Sequence, residues 1–324
     1  MKDRTFKSCL ITGSTGSVGS YLCEHILSKN KGIKINGTYR SKGYLNYLNK
    51  KHPGKIKFNK IDLQNFDHVK KLISKTKPQV IFHMASYANV RGSFDDPYHI
   101  INNNNNITLN LLEAVRLINK KILVIICSTS EVYGTVKKKD IPISEKQKIQ
   151  PANPYSLSKT FQDLAAQTYF KNYEMNIIIT RMFSYTNARR DDLFQTAFAK
   201  QVVAIERGKQ KILYHGNLKS IRTFMDAEDA MEAYWLTAVK GKIGEIYNMG
   251  GDKIISVGEF LKELKRIAKV KIESEVNPNL LRANDITLQI PNDKKFRKQT
   301  NWKPKVTFTR SLFKLLSSCR NRNI

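Results

Sequence analysis

The sequence predicts an α/β fold: a doubly wound parallel sheet with helices on both faces, followed by a smaller α/β unit. Three observations carry that expectation. Short apolar runs alternate with helical patterns as far as about Arg181, the first run opens directly onto a glycine-rich turn at Gly13–Gly19, and the later chain carries helices without that regular alternation. Alternation of this kind is what a parallel sheet requires, because each parallel connection is a crossover that a helix usually makes.

The first run, Ser8–Thr12, leads into Gly13-Ser14-Thr15-Gly16-Ser17-Val18-Gly19 and then a helical pattern through Leu22, Ile26 and Leu27. In such a strand–turn–helix the first glycine permits the tight turn, and the middle one lets backbone N–H groups approach a pyrophosphate. The third lets the helix pack on the strand. The positive end of the helix then faces the phosphates. Gly13, Thr15, Gly16, Ser17, Val18 and Gly19 are therefore candidates for dinucleotide binding. Glycines alone fit a bare turn equally well, and the following strands decide against that reading.

A second strand, Ile33–Tyr39, ends in Arg40-Ser41-Lys42. A site selective for NAD places an acid there for the ribose hydroxyls, whereas a cation suits a 2′-phosphate. Arg40 thus favours NADP, with NAD as the alternative. A third strand, Ile56–Ile61, runs into Asp62-Leu63, and a fourth, Gln79–Met84, into Ala85-Ser86. Asp62, Leu63, Met84, Ala85 and Ser86 are strand-end positions where a dinucleotide rests on an open sheet. His83, at the end of an apolar strand, is read as structural.

The run Asn102–Asn106 reads as a loop entering a helix at Ile107–Leu117, followed by the strand Ile122–Cys127 and Ser128-Thr129-Ser130-Glu131-Val132-Tyr133-Gly134. A further helix opens at Pro154-Tyr155-Ser156-Leu157-Ser158-Lys159. Tyr155 and Lys159 are four apart and share a helical face. A phenol ordinarily titrates near ~10. An ammonium one turn away, with the charge of an oxidised nicotinamide, favours the phenolate and makes Tyr155 an acid or base. Thr129 can bond the same substrate oxygen. Alone, the pair fits a surface contact equally well; a glycine turn, a Ser/Thr strand end and a Tyr-x-x-x-Lys helix, in that order, mark a redox centre.

These segments give the chain its resemblance. Through TGSTGSVG, Asp62-Leu63, HMAS at His83, STSEVYG at Ser128 and PYSLSK at Pro154 it resembles the extended short-chain dehydrogenase/reductases, the NAD-dependent epimerase/dehydratase family. Through FQTAFAKQVVAIERG (194–208), Gly216-Asn217-Leu218, IRTFMDAED (221–229), Tyr247-Asn248, NPNLLRANDI (277–286) and Trp302-Lys303-Pro304 it is most similar to the branch of GDP-mannose 4,6-dehydratases and GDP-4-dehydro-6-deoxymannose reductases. The resemblance implies a Rossmann domain, Tyr155, Lys159 and Thr129 at the C4 oxygen, and Arg222 and Arg282 as diphosphate clamps. Ser184 and Asn217 would lie at the sugar nucleotide.

Glu131 is where the reading divides. A 4,6-dehydratase must oxidise C4, remove the C5 proton, expel the C6 hydroxyl and return hydride to C6, so it needs a second base. Glu131, two residues after Thr129, is similar to the dehydratase arrangement and favours that activity on GDP-mannose or a related GDP-sugar. A 4-reductase or an epimerase is the alternative, with Glu131 a spectator. A non-catalytic dinucleotide sensor or RNA-binding protein is a more distant one, opposed by the complete acid/base set. Where the branch reads Arg-x-Phe-Asn-His and then Pro-Arg-Arg, this chain has Arg181-Met182-Phe183-Ser184-Tyr185 and Ala188-Arg189-Arg190, which leaves the sugar open.

The formal net charge of +29 is spread from Lys2 to Lys314 rather than gathered into a stripe, so no nucleic-acid partner is expected. Cys9, Cys23, Cys127 and Cys319 form no CxxC pair, no metal is expected, and no apolar run is long enough for a membrane. A cytoplasmic enzyme is expected. Residues 1–181 form the expected NADP domain, with a returning segment at about 223–252 that includes a strand near Gly244–Met249. Residues 182–222 and 253–324 form the substrate domain, with helices Phe194–Arg207 and Val257–Ala268. The helices Ile107–Arg116 and Phe161–Tyr173 resemble the pair that dimerises in the family, so a homodimer or homotetramer is expected.

Overall fold

A computed structural model describes residues 3–281 and 286–322. Twelve strands follow in chain order: β1 (Ser8–Thr12), β2 (Lys34–Tyr39), β3 (Ile56–Lys60), β4 (Val80–His83), β5 (Leu123–Thr129), β6 (Ile177–Met182), β7 (Ile212–His215), β8 (Ile221–Phe224), β9 (Ile246–Met249), β10 (Lys253–Ser256), β11 (Glu273–Val276) and β12 (Leu288–Gln289). Seven form one sheet in the order β3-β2-β1-β4-β5-β6-β9, with every neighbouring pair parallel. The order reverses direction between β1 and β4, which is where such sheets bind ligands.

Both faces of this sheet are covered, so its inner strands β1, β4, β5 and β6 are largely apolar, while β3 at the edge keeps polar, exposed positions; the two faces divide the buried residues by alternation. Cys9, Ile11, Val80, Phe82, Leu123 and Ile125 join one core with Leu22, Cys23 and Ile26 of the helix Gly19–Lys29 and Met231, Tyr234 and Trp235 of the helix Ala227–Lys240. Leu10, Ile81, Val124, Ile126, Ile177 and Ile179 join another, against the helices Phe66–Thr76, Pro97–Ile118 and Pro154–Tyr173. Each fully buried aliphatic side chain contributes about 1.5–3 kcal/mol.

The remaining strands make two small sheets, β10-β8-β12 and β11-β7. A third core lies there, built from Phe198, Val202 and Val203 of the helix Phe194–Glu206, Phe260 and Leu264 of the helix Val257–Arg266, and Leu312, Leu315 and Leu316 near the C-terminus. Phe296 and Trp302, far along the chain, pack instead into the first core of the large sheet.

One expectation is corrected. Asn102–Asn106 is not a loop but the interior of a helix that starts at Pro97, ten residues before the expected start at Ile107. Asp96 caps it by accepting from the His99 N–H at 3.1 Å, and Pro97 suits the first turn. Asparagine is a poor helix former, but here its side chains bond elsewhere. Asn104 accepts from the Tyr87 N–H (2.8 Å) and donates to the Tyr87 carbonyl (3.0 Å) and Ser158 Oγ (2.9 Å). Those partners come from other elements, so local pattern could not reveal them.

Candidate active site

The turn after β1 is built around missing side chains. Gly13 has φ +64°, in the left-handed region, and a Cβ on it would lie 2.9 Å from Ala85 Cα. A Cβ on Gly19 would overlap the Gly13 carbonyl oxygen. Both positions let the helix Gly19–Lys29 and the end of β4 close on the turn, which is the approach a pyrophosphate needs. Val18 caps that helix without a side-chain bond, and the Ser20 N–H is taken by the Gly16 carbonyl at 3.0 Å. Thr15 donates its hydroxyl to the Ser41 carbonyl at 3.1 Å, and Ser17 and Gly16 stand on the turn between. These residues fit the phosphates of a dinucleotide.

Behind the turn, Thr12 Oγ1 accepts from the Ala85 N–H (3.0 Å) and meets His83 Nδ1 (3.0 Å); because Thr108 spends its only hydroxyl hydrogen on the Asn104 carbonyl (2.9 Å), the far ring nitrogen must donate to Thr108 and Nδ1 accepts from Thr12. His83 Nε2 then donates to Thr108 Oγ1 at 3.0 Å. Burial pushes this imidazole down to about 3, so it is neutral and purely structural. Asp62 accepts from the Gln64 N–H in a local turn, and Leu63 is buried in the second core, offering its carbonyl to Asn110. Met84 packs against the first core and takes a contact from Cys127 Sγ; Ser86 donates to the Tyr87 carbonyl. Arg40 is exposed and reaches from the end of β2 to the Tyr87 hydroxyl and to Asn103 Oδ1 (3.3 Å), its guanidinium 4.8 Å from the Tyr87 ring centre.

The helix Pro154–Tyr173 presents Tyr155 and Lys159 toward the end of β5. Asn153 starts it with a capping box, accepting from the Ser156 N–H at 2.7 Å while Ser156 Oγ accepts from the Asn153 N–H at 3.0 Å. A buried fork pins the helix to β6, with Arg181 donating twice to Asp163, at 2.9 Å each. Tyr155 and Lys159 are only 7 % and 5 % exposed. Burial pushes Lys159 down to about 8 and the Tyr155 phenol up to about 12.

In the protein alone burial is the largest influence on the phenol, and the Arg190 guanidinium is the foremost charge opposing it. Glu131 adds a smaller push upward, and the neighbouring Thr129 hydroxyl a smaller one downward. Arg190 is oriented by Asp192 (2.9 and 3.0 Å) and by the Ala88 carbonyl. Sequence reading treated it only as part of an altered segment, and an arginine eight residues past β6 has no periodic link to Tyr155.

Glu131 sits on a 3-10 turn after β5, where Thr129 Oγ1 accepts from its N–H at 3.3 Å, and its carboxylate accepts from Asn153 Nδ2 at 3.2 Å. Thr129, Glu131, Tyr155 and Lys159 are thus gathered at one strand end. On the sugar side, Ser184 Oγ accepts from Gln195 Nε2 at 3.0 Å, and Tyr185 is pushed up to about 12 by burial, beside Arg190 and Tyr155. Asn217 shapes a turn, accepting from the Lys219 N–H and donating to Ser220 Oγ. Arg222, on β8, donates to the carbonyls of Ile221 and Ile286. Arg282 lies outside the described residues.

A reversed parallel sheet, a glycine turn at its switch point and a tyrosine–lysine helix at the end of β5 define a short-chain dehydrogenase/reductase with a dinucleotide cleft. The family model described as GDP-mannose 4,6 dehydratase matches residues 10–314. The chain belongs to that family. It is 29% identical over 345 residues to the GDP-mannose 4,6 dehydratase 2 of Caenorhabditis elegans, covering 97% of this chain and 89% of the relative. With the GDP-mannose 4,6 dehydratase of Dictyostelium discoideum it shares 28% over 334 residues, covering 93% and 92%. The structure of RMD from Pseudomonas aeruginosa complexed with NADPH superposes with a TM-score of 0.81 at 24% identity, covering 97% of this chain and 99% of that one, a likeness of fold. Among the described residues, no helix is long and apolar enough to cross a membrane.

Proposed function

We propose that the chain is a nucleotide-sugar 4,6-dehydratase that uses NADP and converts GDP-mannose or a related GDP-sugar to the 4-keto-6-deoxy sugar. The observation that carries this reading is the second base: the Glu131 carboxylate stands with Thr129 and Tyr155 at the end of β5, held by Asn153. The names of the relatives support the choice of GDP-mannose.

Gly13, Gly16, Ser17, Val18 and Gly19 would hold the phosphates, with Thr15 bracing the turn, Arg40 at the 2′-phosphate, and Asp62, Leu63, Met84, Ala85 and Ser86 along the adenosine and ribose. The bound cofactor supplies an acceptor for the C4 hydrogen as hydride and gives it back at C6. Tyr155, oriented by Lys159 and Thr129 and held as the phenolate by the positive charge that an oxidised nicotinamide would bring beside it, takes the proton of the C4 hydroxyl. Glu131 takes the C5 proton, whose bonding pair forms the C5–C6 double bond as the C6–O bond breaks. The departing hydroxide leaves as water with the proton from Tyr155, and Glu131 returns its proton to C5. The net change is loss of one water, with no net oxidation.

Ser184, Asn217, Arg222 and Arg282 are the proposed contacts to the sugar nucleotide, in a cleft between the large sheet (1–181 and about 223–252) and the smaller unit (182–222 and 253–324). Leu157 and Leu164 on one helix and Leu117 on its neighbour are about half exposed, which supports self-association through the helices Pro97–Ile118 and Pro154–Tyr173 as a dimer or tetramer, checked by light scattering. The activity is tested by mass spectrometry on purified protein with NADP and a panel of GDP-, UDP-, dTDP- and CDP-sugars. The expected product is a GDP-sugar lighter by one water, with no net NADPH. Oxidation of NADPH by a 4-keto-6-deoxy sugar, with no dehydrated product from any nucleotide sugar, would establish the reductase instead.

A further inference from the structure

Three of the hydrogen bonds of Asn153, two to Ser156 and one to Glu131, tie together two halves of the catalytic group. Its side-chain oxygen accepts from the Ser156 N–H at 2.7 Å, its backbone N–H donates to Ser156 Oγ at 3.0 Å, and its amide nitrogen donates to Glu131 Oε2 at 3.2 Å. The orientation of the amide follows from its partners. A backbone N–H can only donate, so the oxygen must face Ser156 and the nitrogen is left for the carboxylate. Glu131 itself is half-buried on a short 3-10 turn and packs beside the first turn of the helix carrying Tyr155. A glutamate side chain has three rotatable bonds, and tethering one oxygen leaves the other to meet a proton in a defined place.

We propose that Asn153 is a positioning residue for Glu131: its amide registers the second base against the helix that carries Tyr155 and Lys159. One side chain thereby sets both the start of that helix and the aim of the carboxylate. The proposal rests on the dehydratase reading, in which Glu131 removes the C5 proton.

Serine and aspartate cap helices about as well as asparagine, but serine is too short to reach Glu131 and aspartate presents a second carboxylate to it. Asn153→Ser, Asn153→Asp, Glu131→Gln and the double variant Asn153→Ser/Glu131→Gln are compared with the wild type as full chains with NADP and GDP-mannose. Asn153→Ser should lower kcat by roughly tenfold or more, the scale of a misplaced catalytic group, and Asn153→Asp further. KM should stay within about twofold and melting within ~3 °C of the wild type, since the cap persists. Reduced nicotinamide absorbance should build up in Asn153→Ser, because C4 oxidation then outruns C5 deprotonation. In the Glu131→Gln background Asn153→Ser should add nothing. Wild-type kcat in both single Asn153 variants, or an undiminished loss in the double variant, overturns the proposal while a crippled Glu131→Gln keeps the dehydratase reading intact. Wild-type turnover in Glu131→Gln overturns both.

Discussion

The two sides of the candidate cleft are made in opposite ways. The proposed dinucleotide side is backbone: a seven-residue turn, Gly13–Gly19, whose shape comes from absent Cβ atoms and whose N–H groups are the proposed donors. The acid/base and sugar side is side chains from distant segments: Thr129 and Glu131 after β5, Tyr155 and Lys159 on a helix, Ser184 and Arg190 after β6, and Arg222 on β8. A backbone site needs only local conformation, and its tolerance to change is set by space. A side-chain site needs every element placed correctly, and its tolerance is set by bonds such as those from Asn153 and Asp192.

Substitutions on each side should therefore fail differently. Tyr155→Phe keeps the ring packed in its buried slot and removes only the hydroxyl; it should lower kcat by about 10³-fold or more, while NADP affinity, measured by fluorescence titration, changes less than about threefold. Retained turnover would move the acid/base role to another group. Gly13→Ala should do the reverse, raising the Kd for NADP and costing about 1–3 kcal/mol of stability, because it combines a positive φ with a Cβ pressed on Ala85. Unchanged melting and Kd would mean that the turn has room the structure does not show.

The smallest effect concerns the support beneath both sides. His83, pushed from 6.5 down to about 3 by burial, stays neutral in the folded chain while the unfolded chain takes up a proton below about 6.5. Over that window the unfolded state binds more protons, so the contribution to stability is complete above about pH 6.5 and is lost progressively as pH falls toward 3. Melting temperatures of His83→Gln between pH 7.5 and 4.5 should decline less steeply than those of the wild type, even if they start lower. Parallel declines would show that other groups govern the acid side.

Much of the fold was legible because its signals are local. β1 to β5 begin and end within two residues of the runs that announced them, and β1, β4 and β5, buried on both faces, are apolar at most of their positions. The Asn-rich stretch failed because its helix is supported from outside, by Tyr87 and Ser158, against the propensity of its own residues. The same division runs through the site. The Gly13–Gly19 turn and the four-residue spacing of Tyr155 and Lys159 depend on φ angles and helix period, properties a few consecutive residues set by themselves. That Arg190 acts on the phenol, and that Asn153 holds Glu131 across 22 residues of chain, followed only from the order of the sheet and the packing of a helix against the end of β5. Charges and hydrogen bonds act through space, over distances that sequence separation does not measure, and only the tertiary structure brings these groups within reach.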